Sequence, residues 1–551
     1  MAKQRGGVLE LIERIGNRLP DPAILFVLGA ALVVLASAAV ATLDWEVQAM
    51  RLAPAVETVM RDGVEVEQPV LGLDGRPVLE LVPDRSVNDG EPYRAVNLLT
   101  SDGVYWMLTS MVSNFMGFAP LGIVLTGMLG IGVAERTGLI GAGLRAFMLV
   151  APKQLLTPIM VFLGIMSSMG LDAGYVVLPP LAAALYKSVG RSPIAGIAAV
   201  FSGVAAGFNA NLFVTGLDPL LAGLSTIGAQ VVDPDYIVVA TCNWWFMIAS
   251  TFVITLVGWA ASAWFVEKRF ANKSPEEGGP VAATADDLAA HRLEPKEWRA
   301  LGWALAALAA AMGLVVAAVN IPGAPLYTQE SDASPFARWV NVIVPLIFLA
   351  FLAPGVTYGI AIGRVRSSHD VAELFTKSMA YMAPIIVLAF FAAQFIEYFK
   401  YSQLDRMLAY AGGAWLAAQQ MPAAALIIAF IIVTMVFNLF IGSMSAKYTM
   451  FAPIFVPMLM LAAGISPELT QAAYRIGDST TNTITPLNAY LVIILVVMQK
   501  FAPKAGMGTL IAMMLPYSIL FTIAWSVMLL VWMSLGLELG PGGPLTYQPA
   551  G

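Results

Sequence analysis

The run Arg475-Ile-Gly-Asp478-Ser-Thr-Thr-Asn482-Thr-Ile-Thr-Pro486-Leu-Asn488 decides how this chain is read. It interrupts the stretch 468–499, which is long enough to cross a bilayer. Backbone that leaves the helix at membrane depth must be buried in protein or line a wet cavity. Hydroxyls, amides and a proline in such a place therefore mark a broken helix. A second break, Gly207-Phe-Asn209-Ala-Asn211, interrupts the segment Pro193 to Gln230.

Composition supports a membrane setting for both. Of 551 residues, 58% are hydrophobic and 12% charged, about half the charge of a soluble protein. The net charge is −6, and the pI near 5.2 argues against a nucleic-acid partner. Two histidines and one cysteine cannot supply the common zinc, haem or iron–sulfur sites. No Walker A pattern is present, so ATP hydrolysis has no sequence support. The reading implies no organic cofactor.

Apolar runs and the placement of Lys and Arg give the order of segments. Residues 1–23 form a basic, cytoplasmic N-terminal segment and 24–43 the first span. Residues 44–98 form an outside polar segment with Asp62-Gly63 and Asp74-Gly75 turn signals. A span over 114–134 follows. The first repeat, 154–230, is a re-entrant hairpin over 156–186 and then the first broken helix. Connecting spans fill 236–400, with a cytoplasmic loop at 267–297. The second repeat, 421–500, is a hairpin over 421–463 and the second broken helix. The last span, 506–536, leaves the C-terminus outside. The fold class is an all-α polytopic membrane protein with about nine transmembrane helices and two re-entrant hairpins.

The two repeats match at an offset of 274. Pro179 meets Pro453, Gly190 meets Gly464, Ser192-Pro193 meets Ser466-Pro467, and Gly203 meets Gly477. Charge places them in opposite orientation, the inverted-repeat plan of secondary transporters. Chance matching of Gly and Pro in apolar sequence is the alternative.

Candidate site residues sit at the hairpin tips and breaks. An intramembrane carboxylate such as Asp172 usually faces a cavity or a partner; a helix N-cap is its plainer role. Asn209 and Asn438 offer amide oxygens suited to Na⁺, with Asp478 as the third donor; Asn209 and Asn211 can equally cap the broken helix. Ser443, Ser445, Lys447 and Tyr448 cluster at the second tip, where Lys447 either stays at depth or snorkels. Arg475 and Asp478 stand three residues apart, close enough to pair on one turn. The coupling ion is Na⁺ or H⁺.

The motifs Asn114-Phe-Met-Gly-Phe-Ala-Pro-Leu-Gly122, Asp172-Ala-Gly-Tyr-Val, Thr215-Gly-Leu-Asp-Pro-Leu-Leu-Ala-Gly223, Ser445-Ala-Lys and Tyr474-Arg-Ile-Gly-Asp-Ser479 resemble the p-aminobenzoyl-glutamate transporter (AbgT) family. That resemblance implies a homodimer in the bacterial inner membrane and an elevator-like motion of the hairpin-bearing core. It implies cation-coupled transport of p-aminobenzoyl-glutamate or related p-aminobenzoate compounds, including export of sulfonamides. By motif it carries functional roles to Asp172, Asn438, Pro467, Arg475, Asp478 and Pro486. The family usually has Trp after Ser-Ala-Lys; this chain has Tyr448. A channel, or a carrier of another small organic anion such as a dicarboxylate, is the competing reading. An intramembrane aspartyl protease is excluded because neither Asp172 nor Asp478 has the required sequence setting.

Overall fold

The computed structural model describes residues 22–548 except 62–63, 71–78, 151, 171–172, 282–291, 329–336, 486–487 and 489. Residues 1–21, both Asp-Gly turn signals, Asp172 and Pro486 thus lie outside the described residues.

In lipid, a chain must satisfy its backbone polar groups internally, so apolar runs become helices. The first is α1 (Pro22–Thr42), followed by α2 (Ser101–Met116), α3 (Ala119–Thr137) and α4 (Leu139–Val150). The first repeat contains α5 (Leu156–Met166), α6 (Ala173–Ser188), α7 (Pro193–Phe201) and α8 (Leu217–Ala229). Then come α9 (Trp244–Ala261), α10 (Pro295–Asn320), α11 (Ile343–Ile362), α12 (Ser368–Tyr381), α13 (Ala383–Tyr401) and α14 (Leu404–Ala418). The second repeat contains α15 (Ala423–Asn438), α16 (Met444–Ala463), α17 (Pro467–Thr481) and α18 (Tyr490–Gln499), and α19 (Met507–Ser534) follows.

Among the described residues, eight helical runs are long and apolar enough to cross a membrane. Seven coincide with expected spans. The eighth is α16, the second arm of the second hairpin, which is 20 residues long and not short as expected. The remaining two expected spans are the broken helices α7–α8 and α17–α18, whose halves are each too short alone. The expected span at 114–134 starts earlier, at Ser101, and is split at Gly117-Phe118. The polar segment before it is not featureless: three antiparallel strand pairs join Glu46–Val47 with Tyr93–Arg94, Met50–Pro54 with Leu79–Pro83, and Val56–Arg61 with Val64–Pro69. The alternation Val64-Glu-Val-Glu67 carried that signal.

The matched residues of the two repeats do matched work. Gly190 and Gly464 both take left-handed backbone, at φ 74° and 59°, and end the second arm of their hairpins. Ser192 and Ser466 then cap the next helix, accepting from Ala195 N and Leu469 N, with Pro193 and Pro467 in the first turn. Each serine hydroxyl also donates to a distant carbonyl, of Gly278 and Pro544 respectively. Gly203 and Gly477 press their helices onto the first arm of their own hairpin. A Cβ would stand 2.1 Å from the Val161 carbonyl oxygen in the first case and 2.7 Å from that of Ile431 in the second.

Residues Leu539–Tyr547 fold back as a strap. Ser466 N donates to Leu545 O, Tyr547 N to Gly464 O, and Thr241 Oγ1 to Pro541 O. The strap therefore closes the base of the second hairpin and ties it to the loop before α9.

Helix α14, outside the candidate spans, buries Asp405 at its first turn. Burial raises that carboxyl to about 7, against weaker lowering by the Arg406 backbone N–H and guanidinium. The folded protein thus disfavours the ionised form. The contribution of Asp405 to stability is fully present below the ordinary carboxylate range and is lost as pH rises through about 7. In detergent, the melting temperature should fall over that window, and Asp405→Asn should flatten the decline. Gly203→Val and Gly477→Val should each lower the melting temperature by several degrees through overpacking of about 1–3 kcal/mol. Gly143→Val, with nothing within 4 Å of its Cβ, should leave it unchanged.

Candidate substrate and cation site

The site is carried by α17. All of Pro467–Thr481 is buried, although Glu468, Gln471, Arg475 and Asp478 run down it at spacings of three and four, one stripe of the helix. Each group must find a protein partner or cost its desolvation.

Arg475 and Asp478, close enough in sequence to pair, do not pair. Arg475 donates to Asp218 Oδ1 at 2.6 Å and, one turn N-terminal, to Gln471 Oε1 at 3.0 Å. Long helical side chains lean toward the N-terminus, which carries the guanidinium away from Asp478. Asp218, at the start of α8, also accepts from the Thr215 hydroxyl at 2.8 Å. Asp478 pairs instead with Lys447 of α16, Nζ to Oδ1 at 2.8 Å, both side chains being fully buried. Lys447 does not snorkel.

Asn438, at the end of α15, accepts from the Lys447 ammonium at 2.5 Å. Its amide nitrogen donates to Asp478 O and Thr481 Oγ1. Asn209, in the first break, donates to Asp478 Oδ2 at 3.1 Å and Ser479 Oγ at 2.7 Å. Asn482 returns a bond to Ala205 O at 3.4 Å. The two breaks are therefore joined to each other, and Asn211 ties the first break to Ser168 near the first hairpin tip at 2.8 Å. Of the groups expected to hold Na⁺, Asn438 Oδ1 and Asp478 Oδ1 converge on the ammonium of Lys447, while Asn209 turns its amide nitrogen toward Asp478.

A second polar chain runs from Arg475 through Gln471 to Ser225 and on to the hydroxyl of Tyr448. Tyr448 is fully buried, and its ring lies 4.3 Å from that of Tyr474. Ser443 caps α16, accepting from Ala446 N, and stands 3.4 Å from the Ser445 hydroxyl. Pro467 sits in the first turn of α17. Thr483 Oγ1, buried in the second break, has no hydrogen-bond partner among the described residues. Asp218, Ser225, Gln471 and Ser479 were not singled out from the sequence. Asp218 was legible as a lone carboxylate in an apolar stretch; the others are ordinary helix residues until the partners are seen.

Breaking a buried ion pair costs about 3–5 kcal/mol, while removing both charges often costs little. Lys447→Met should destabilise the purified protein strongly. Adding Asp478→Asn should recover most of the loss, as read by thermal denaturation in detergent.

Comparison with known proteins gives consistent matches. A family model described as the AbgT putative transporter family matches residues 7–547. A p-aminobenzoyl-glutamate transport protein of Escherichia coli (strain K12) is 31% identical over 543 residues, 98% of this chain and 97% of that protein. The crystal structure of the Alcanivorax borkumensis YdaH transporter aligns with TM-score 0.81 and 39% identity, over 95% of this chain and all of that one. The Neisseria gonorrhoeae MtrF structure, described as illuminating a class of antimetabolite efflux pumps, aligns with TM-score 0.83 and 38% identity, over 98% of this chain and all of that one.

Proposed function

The chain belongs to the AbgT putative transporter family, and from that premise we propose that it is a cation-coupled secondary transporter. Its proposed substrate is p-aminobenzoyl-glutamate or a related p-aminobenzoate compound, with sulfonamides as export substrates. It acts as a homodimer in the bacterial inner membrane, with its N-terminus in the cytoplasm. One observation supports the reading above others. The ion pair Lys447–Asp478 is buried where both breaks meet the second hairpin, in contact with Asn209 and Asn438.

The chemistry follows from competition for one carboxylate. A coupling cation, H⁺ or Na⁺, that takes Asp478 releases the Lys447 ammonium from it. A freed ammonium favours an anionic substrate. Asn209, Asn438 and Asp478 form the Na⁺ version of the cation site. Ser443, Ser445, Pro467, Arg475 and Tyr448 bound the substrate side, with Asp172 and Pro486 completing the set at the first tip and the second break. Tyr448 meets the aminobenzoyl ring once the second tip moves. Its bond to Ser225 depends on a hydroxyl that the usual Trp lacks.

The test is uptake of radiolabelled p-aminobenzoyl-glutamate and of a sulfonamide into proteoliposomes, with Na⁺ and pH gradients imposed separately. One gradient should drive accumulation. Asp478→Ala should reduce it by at least about tenfold, since it leaves a buried ammonium unpaired. Gradient-independent flux, or near wild-type uptake by Asp478→Ala, would sink the proposal.

A further inference from the structure

We propose a second ligand site, an outer vestibule for an aromatic molecule that carries both a hydrogen-bond-donating amine and an acid group. It rests on the transporter reading above and adds a place where the substrate waits before reaching the hairpin tip. A cavity of about 430 Å³ lies between the α2–α3 junction, α8, the start of α11 and the end of α13. That size suits a small organic molecule. Most of its wall is apolar, including Phe118, Ile227 and Val340. Its polar end holds Glu397, Lys400 and Gln230. Charge placement in the sequence puts this end on the outer side.

The ion pair in the wall selects the ligand class. Lys400 Nζ and Glu397 Oε1 are 3.1 Å apart, and each side chain is more than a third exposed. Such a pair is worth at most about 1 kcal/mol, so a ligand can enter it. An acid group takes Lys400 and an amine donor takes Glu397, while the ring lies on the apolar wall. A purely anionic ligand would meet Glu397 unfavourably, and a purely apolar one would leave both charges unused.

Phe118 connects this site to the first. It lines the vestibule and also a narrow slot that contains Ser445 and Thr449 of α16. It occupies the split between α2 and α3, where the backbone leaves the helix at φ −74° and ψ 83°. One nearly buried aromatic ring thus stands between the vestibule and the second hairpin tip. Phe118 acts as a gate whose rotation joins the two spaces.

Cysteine labelling in right-side-out vesicles tests both parts. The native Cys242 is fully buried and sets the background. Gln230→Cys should react with a membrane-impermeant thiosulfonate, and p-aminobenzoyl-glutamate should slow the reaction. Lys400→Gln should raise the concentration giving half protection by about tenfold, the loss of one charge-assisted bond. Unprotected labelling, or protection unchanged by Lys400→Gln, overturns the vestibule. Uptake without protection overturns the vestibule alone; protection without uptake overturns only the transport reading. For the gate, Ser445→Cys should label about tenfold faster when combined with Phe118→Ala. Equal rates overturn the gate.

Discussion

Everything near the centre of this molecule answers to the burial of one polar helix. Residues Pro467–Thr481 carry a glutamate, a glutamine, an arginine, an aspartate and several hydroxyls, yet none of them is exposed. An apolar bundle cannot surround such a helix without leaving charges and donors unpaired, at several kcal/mol each. The neighbours therefore had to bring counter-groups. Lys447 comes from the second hairpin, Asp218 and Ser225 from α8, Asn209 from the first break, and Tyr236 donates to Glu468 from the loop before α9. Together these bonds join α17 to four different pieces of chain. The polar helix is thus the point at which the two repeats are held in register.

This explains what was legible in the sequence and what was not. The spans, the hairpins and both breaks follow from hydropathy, charge placement and helix-breaking residues, which are local signals. Matched glycines and serines at an offset of 274 were visible as letters, and the structure gives each pair the same local task. Pairing partners were a different matter. Arg475 and Asp478 look like a pair because sequence shows neighbours along one helix, not the direction in which side chains lean. Asp218 and Lys447, 257 and 31 residues away from their partners, emerge only when the helices are packed. The helix α14 is hard to see in the sequence because it is amphipathic and lies between apolar runs. The strands in 46–94 carry their signal only in short alternations, which the mixed charge of a polar segment between spans obscures.

An ion pair of this kind also suits a moving part better than a fixed one. Two charges that neutralise each other in a dry site leave no net charge to carry across an apolar seam. Swapping one member for a cation from solution preserves that balance only if the displaced ammonium is matched by an incoming anion. In the proposed mechanism, neutrality of the buried site is what links cation and anion without a direct contact between them.

The strap at Leu539–Tyr547 has a consequence for assembly. Ser466 waits 78 residues for Pro544, and Thr241 waits 300 for Pro541. During synthesis the second hairpin and α17 are made with their base still open. Contacts this distant in sequence form late, because the loop entropy between them must be spent first. The membrane-inserted chain therefore passes through a stage in which its most polar helix is present but not yet fastened. The partners of the charges of α17, among them Lys447, Asp218 and Asn209, precede it in the chain, so what the strap adds late is closure of the hairpin base and not neutralisation.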